Sequence, residues 1–473
     1  MESKSVWKNY SAKQLKECEE FNNDYKHFLN VGKTERECVN AIVDAAEAAG
    51  YVELSEKLKG KKGLKKGDKI YAVNMNKSIV LFNIGEGTLS SGMNILGAHI
   101  DSPRMDVKSN PLYEESSIAY LDTHYYGGVK KYQWVTIPLA LHGVVVKKDG
   151  MTVELAIGED EDDPVFFVSD LLIHLAHKQM DKKASEVIEG EALDIIVGNR
   201  PLVVRGRKNA AEDEKKDDKD PVKKMILKIL KDEYGMEEDD FLSAELEVVP
   251  AGKARDAGLD RSMILSYGQD DRVCAFSSLY AFLKSQSYKR TACLILTDKE
   301  EIGSVGATGM TSLFFENVIA KLIDLEGAYS DLAVRDCLAN SCMLSSDVNA
   351  AFDPSYASAF DKRNSSYMGA GMVFSKFTGS RGKSGSNDAN AEYIAYLRKI
   401  LDDAKVSYQI AELGKVDAGG GGTIAYIMAK YGMNVIDAGV AVLNMHAPFE
   451  AVSKADVYET MRGYVAFLNA PGM

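Results

Sequence analysis

From Leu246 to the C-terminus the sequence alternates apolar, strand-like runs with amphipathic helical ones, and this alternation limits the fold more than any other feature. SMILSYG (262–268) reads as a strand, DRVCAFSSLYAFLKS (271–285) as a helix and TACLILT (291–297) as a buried strand. The pattern continues through SCMLSSD (341–347), NDANAEYIAYLRKILDDA (387–404), GTIAYIMAKYG (422–432), NVIDAGVAV (434–442) and KADVYETMRGYVAFL (454–468). Helices between short apolar strands predict an α/β fold, a layered mixed sheet with helices on both faces.

The N-terminal half adds two things. The first fifty residues read as helix, with Thr34 able to cap a segment that Gly50 ends. KIYAVNM, SIVLFNI and MNILGAHID then read as strands, and the region from Tyr113 to Ile157 stays β-rich. SDLLIHLAHKQMD (169–181) predicts a helix, and NAAEDEKKDDKD (209–220) an exposed, mobile loop. No internal repeat is present. The expected organisation is one α/β domain built from residues 1–106 and 256–473, interrupted by a β-rich insertion at 107–255.

Charge excludes two classes of partner. With 57 basic against 70 acidic residues the net charge is 57 − 70 = −13. Phosphate and anionic lipid call for a basic face, so neither nucleic acid nor membrane is the expected partner. The six cysteines form no CxxC and no dense framework. There is no apolar leader and no run of about eighteen apolar residues, so a cytoplasmic protein is expected.

Five short segments gather acids and histidines after apolar runs: GAHIDSPR (97–104), GQDDR (268–272), DKEEIGSVG (298–306), SSDVN (345–349) and NMHAPFE (444–450). This places His99, Asp101, Asp270, Asp271, Glu300, Glu301, Asp347 and His446 at the carboxyl ends of strands, where open α/β sheets build their sites. A mixed imidazole and carboxylate set suits Zn²⁺, with Mn²⁺ or Co²⁺ able to substitute. In His99-Ile100-Asp101, residues two apart on a strand share a face, so the carboxylate can orient a ligating imidazole. Adjacent Glu300 and Glu301 point in different directions, so one can bind metal while the other takes a proton from the attacking water. A pair of metals about 3.5–4 Å apart needs a shared carboxylate, for which Asp270 or Asp271 is the candidate. Any one segment alone is more often a surface or core feature. Five at strand ends are not. Asp298 and Asp106 read instead as exposed or capping residues.

In order and in detail these segments resemble the aspartyl aminopeptidase / aminopeptidase I family of zinc metallopeptidases, whose pattern runs HxD, Asp, Glu-Glu, Asp, His. The likeness spans nearly the whole chain. It implies a zinc-exopeptidase-like fold and two zinc ions per subunit, held by His99, Asp270, Glu301, Asp347 and His446. Asp270 would bridge, Asp101 would orient His99, and Glu300 would be the general base. Many members carry LDN around the bridging residue, whereas the DDR here is similar to TET-type glutamyl aminopeptidases, in which the first Asp bridges. The resemblance further implies homo-oligomers, as tetrahedral dodecamers, with the insertion as dimerisation domain.

Two further residues enter only through the likeness. His174 resembles a family His that approaches a neighbouring subunit's site, as a substrate contact or an additional metal ligand. The alternative is a helix His half-buried beside Leu171 and Leu175. Lys376 falls where members keep a Lys near the substrate pocket, the alternative being an exposed strand Lys. Gly419 to Gly422 read as a loop before a helix whose N–H groups could hold an oxyanion. The expected function is removal of the first residue of peptides, acidic or Leu-like. The rivals are a di-metal carboxypeptidase or N-acyl deacylase, and a non-catalytic metal-bound assembly protein.

Overall fold

The computed structural model describes residues 5–60, 63–203, 219–285 and 288–473. The chain forms two compact units, residues 1–102 with 254–473, and residues 103–253.

The first unit is organised by a nine-stranded sheet. Its strands in chain order are β1 (Val52–Glu53), β2 (Lys69–Asn74), β3 (Ser78–Asn83), β4 (Met93–His99), β5 (Thr291–Thr297), β6 (Cys342–Ser345), β7 (Met372–Ser375), β8 (Tyr408–Ala411) and β9 (Asn434–Gly439). They lie in the order β1-β2-β3-β5-β4-β6-β9-β7-β8. The centre, β5-β4-β6-β9, is parallel, while β3 and β7 pair antiparallel to its flanks. Successive side chains on these strands fall into different cores. Leu96 and Ala98 of β4 and Leu294 and Leu296 of β5 join one hydrophobic cluster, whereas Ile95, Cys293 and Ile295 join another. Both faces of a strand with period two are thus buried, as a sheet covered on each side requires.

The first cluster is covered by α1 (Ala12–Val31), α2 (Glu35–Ala48), α3 (Gln269–Lys284), α5 (Ala391–Asp403) and α6 (Lys454–Leu468); α4 (Phe314–Glu326) covers the second. Ser11 and Thr34 cap α1 and α2 through reciprocal capping boxes with Gln14 and Glu37. A smaller five-stranded sheet, which includes Met263–Ser266 and Glu450–Ser453, adjoins the N-terminus of α3.

The second unit carries a six-stranded antiparallel sheet and a helix at Pro221–Tyr234. Three readings are corrected here. Residues 103–106 and 254–255 change sides, because the long strand Arg104–Glu115 belongs to the second unit and Arg255–Ala257 to the first. The expected helix over 169–181 is only a turn at Ile173–Leu175 and four helical residues at His177–Met180. Leu172, Ile173 and Leu175 are 55%, 69% and 68% exposed, so no core face supports the helix that their spacing suggests. Asp298 is not exposed but buried, accepting a hydrogen bond from Thr308 Oγ1. The charged stretch 209–220 lies, but for its last two residues, outside the described residues.

One side chain secures a loop that the sheet itself cannot. Asp456, buried on α6, accepts the backbone N–H groups of Gly369 and Gly371 at 2.7 Å each. Asp456→Ala leaves both donors buried without a partner and is expected to cost about 1–3 kcal/mol for each. Urea unfolding of the two proteins measures this, and an unchanged midpoint would refute it.

Candidate metal centre

Register brings the site together. In the parallel centre of the sheet Thr297 lies beside His99 and Ser345 beside Gly97. The segments that follow β4, β5 and β6 therefore leave the sheet at one edge, carrying Asp101, Glu300 with Glu301, and Asp347. The N-terminus of α3 brings Asp270 and Asp271, and the turn between strands Ala441–Leu443 and Glu450–Ser453 of the five-stranded sheet brings His446. Gly439 makes room, since a Cβ there would lie 2.0 Å from the Asp347 carbonyl oxygen.

Asp270 is the centre of this set. Its Oδ1 lies 3.2 Å from His99 Nε2 and its Oδ2 3.2 Å from His446 Nε2, one oxygen facing each imidazole. Burial opposes its ionisation, but the His446 and His99 nitrogens outweigh it and hold the carboxyl below its usual range. His446 Nε2 is also 3.4 Å from Glu301 Oε1, and His99 Nε2 is 3.9 Å from Glu300 Oε2. Asp271, joined to Asp270 by a cis peptide, is fully buried, and burial raises its carboxyl well above the usual range.

Asp101 works from behind. Its carboxylate accepts the N–H of Glu300 on one oxygen and that of Glu301 on the other, each at 3.1 Å, while Oδ1 also lies 3.3 Å from His99 Nδ1. Burial would lower the His99 pKa, yet the contacts with Asp101 and Asp270 raise it well above its usual value. Glu450, which sequence reasoning quoted but gave no role, accepts the N–H of Asp270 at 3.0 Å and that of His446 at 2.8 Å. Its position as the last letter of NMHAPFE, four residues after His446, was the only signal.

The residues fit a divalent cation. His99, Asp270 and Glu301 offer ligand atoms all within 4.8 Å of one another, as do His99, Glu300 and Asp347, and Asp270, Asp271 and Asp347. Asp270 Oδ1 and Glu301 Oε1 are buried, with imidazole nitrogens near but no aligned hydrogen bond. Burial raises Asp347 and Glu301 well above the usual carboxyl range, and Glu300 to about 7. Carboxylates this crowded need positive charge, and mixed N/O donors are those zinc takes.

The set opens into a cavity of about 430 Å³. Val348, Leu413, Tyr426 and Met445 form its apolar wall, and Gly420 to Thr423, Ser375, Thr378 and Asp437 its polar one. No Lys or Arg is among the described residues that line it. Lys376 is not at the wall; its Nζ lies 3.6 Å from Asp388, whose other oxygen pairs with Lys383. His174 is on the second unit, exposed, and belongs to none of the groups that could hold a metal.

Comparison with known proteins agrees in every direction. The family model for the aminopeptidase I zinc metalloproteases (M18) matches residues 28–468. A curated relative, the probable M18 family aminopeptidase 1 of Clostridium acetobutylicum, is 58% identical over 99% of this chain and 98% of its own. The crystal structure of an M18 family aminopeptidase from Thermotoga maritima superposes with a TM-score of 0.92 at 43% identity, covering 99% of each chain. The S. cerevisiae mApe1 dodecamer shares the fold at TM-score 0.73 and 19% identity, over 94% of this chain and 95% of its own.

Ligands must shed their protons to bind metal, so raised carboxyl pKa values make binding pH-dependent. Burial makes Glu301 and Asp347 hold their protons more tightly than ordinary carboxyls, and Glu300 takes one up as the pH falls through about 7, so lowering the pH should weaken zinc binding and raising it should restore affinity. Calorimetric titration in two buffers of different ionisation enthalpy should show net proton release near pH 6.5. Equal heats in both would refute it.

Proposed function

The chain belongs to the aminopeptidase I zinc metalloprotease (M18) family, and from that premise we propose how its residues divide the work of a metal-dependent aminopeptidase. His99, Asp270, Glu301, Asp347 and His446 hold two zinc ions per chain, with Mn²⁺ or Co²⁺ as substitutes. Asp270 is shared between them, in keeping with its two oxygens facing two imidazoles. Asp101 orients His99 and fixes the Glu300–Glu301 turn.

Bound zinc supplies Lewis acidity, polarising the scissile carbonyl and lowering the pKa of the attacking water toward ~7. Glu300, at the cavity wall with a pKa raised by burial to about 7, takes that water's proton and delivers it to the leaving amine. A base poised near neutrality is matched to both transfers.

The charge of the cavity carries the choice of substrate end. Asp270, Glu300, Glu301, Asp347 and Asp437 line it, and among the described residues no Lys or Arg does. Such a wall receives a free α-ammonium group, whereas a carboxypeptidase would need a cationic anchor for the terminal carboxylate. The same wall disfavours an acidic first side chain, and Val348, Leu413, Tyr426 and Met445 suit a neutral, Leu-like one. The ready base at the wall speaks against a purely structural metal.

The chain is proposed to act as a homo-oligomer, a dodecamer by analogy with the yeast protein. Supporting this, Leu171, Leu172, Ile173, Leu175 and Met180 of the second unit are each 46% or more exposed. Isolated hydrophobes are ordinary on a surface, but such a run marks an interface. A cytoplasmic setting is proposed from the six cysteines, all buried as free thiols, the state a reducing compartment maintains.

Three outcomes are expected. A short peptide with a Leu N-terminus should lose that residue alone, its N-acetylated form should be inert, and chelation should abolish the loss until zinc returns. Mass spectrometry reads this; cleavage of the acetylated peptide or at the other end would favour the related hydrolases. Glu300→Gln should keep its zinc and lose turnover by about 10²–10⁴-fold; surviving turnover would remove Glu300 as base. Ile173→Asp should shift sedimentation toward smaller species, and an unchanged profile would remove this run from the interface.

A further inference from the structure

We infer that Glu450 is a positioning residue that keeps the two poles of the metal centre in register, by binding the backbones of Asp270 and His446 with one buried carboxylate. The inference rests on the two-ion reading above. Asp270 and His446 come from elements far apart in sequence, the start of α3 and the turn between strands Ala441–Leu443 and Glu450–Ser453. Glu450 accepts a hydrogen bond from the backbone N–H of each, one on either carboxylate oxygen.

Glu450 is itself fixed. It is 1% exposed and pairs in register with Ser266 in the five-stranded sheet. Its carbonyl oxygen accepts from Gln269 Nε2, which also donates to Ile264, and Gln269 in turn receives Tyr25 Oη at 3.2 Å. The clamp is therefore anchored to the five-stranded sheet and, through Gln269, to Tyr25 of α1.

The two poles depend on it unequally. Asp270 has a second restraint, because Ser102 Oγ donates to its carbonyl oxygen at 2.7 Å. His446 sits at φ = 64°, in the left-handed region, which a non-glycine residue rarely adopts without support. Its N–H bond to Glu450, four residues on, favours that conformation and with it the direction of the imidazole. Removing the clamp should release the His446 pole first and leave the His99 pole, which Asp101 restrains separately, in place.

The test is competitive zinc titration of the full chain against a chelating indicator, for wild type, Glu450→Gln, His446→Ala and the double variant. Gln presents its oxygen to one of the two N–H donors and an NH₂ group, itself a donor, to the other. Glu450→Gln is expected to weaken one of two zinc affinities by about 10–100-fold, the range of lost outer-shell partners. It should do nothing further in the His446→Ala background. Asp456→Ala, a destabilising change outside the centre, should leave both affinities unchanged. Equal weakening at both poles, or none, would overturn the inference. If the wild type binds a single ion, the two-ion reading fails separately; weakening of that ion by Glu450→Gln would still support the clamp, and unchanged affinity would refute it. Should Glu450→Gln not fold, Glu450→Asp, which withdraws both oxygens by one methylene, is expected to show the same order of loss.

Discussion

The structure depends on a repulsion. Asp101, Asp270, Asp271, Glu301 and Asp347 are packed around one edge of the sheet with His99, and most are almost wholly removed from water. Two like charges 4 Å apart repel by about 4 kcal/mol at an effective dielectric near 20, and burial adds a desolvation cost to each. Such a set is stable only if protons or cations neutralise it. The raised carboxyl pKa values describe the first solution, and zinc is the second. Folding and metal binding are coupled through the same charges.

A cluster this costly must be held by something stiffer than its own side chains. The parallel register of β4, β5 and β6 sets three of the strand-end segments side by side. The restraints then pass through backbone N–H groups. Asp101 takes those of Glu300 and Glu301, and Glu450 those of Asp270 and His446. Carboxylates that bind backbone N–H groups add negative charge near the cation while fixing the chain that carries the ligands. Two acids at the back thus position the acids at the front and add negative charge that favours the cation those acids would hold.

How much of this was legible follows from what each signal depends on. Alternation of apolar runs is local, so the sheet and its two helical layers could be read from the strand and helix runs that follow Leu246. The convergence of five polar segments at one edge was inferable because each follows a strand. Burial is not local. Asp298 looked like a loop acid because nothing nearby in sequence shows that Thr308 folds over it. Glu450 was hidden for the same reason, its partners being 180 residues away and four residues away. Lys376 carried a positional expectation that its pairing with Asp388 answers differently. The segment 169–181 has helical spacing but no layer to pack on, and spacing without packing did not make the helix.

That last failure has a physical meaning beyond itself. A short apolar segment that neither folds into a helix nor reaches a core, yet keeps Leu171, Leu172, Ile173 and Leu175 together, holds surface that water disfavours by about 25 cal/mol per Å². Such a continuous exposed apolar run favours burial against another chain. His174 lies in the middle of that run and would be carried into whatever surface covers it. Its chemical neighbours are then decided by assembly and not by this chain's fold, which is why it stands apart from residues that a single sheet edge brings together.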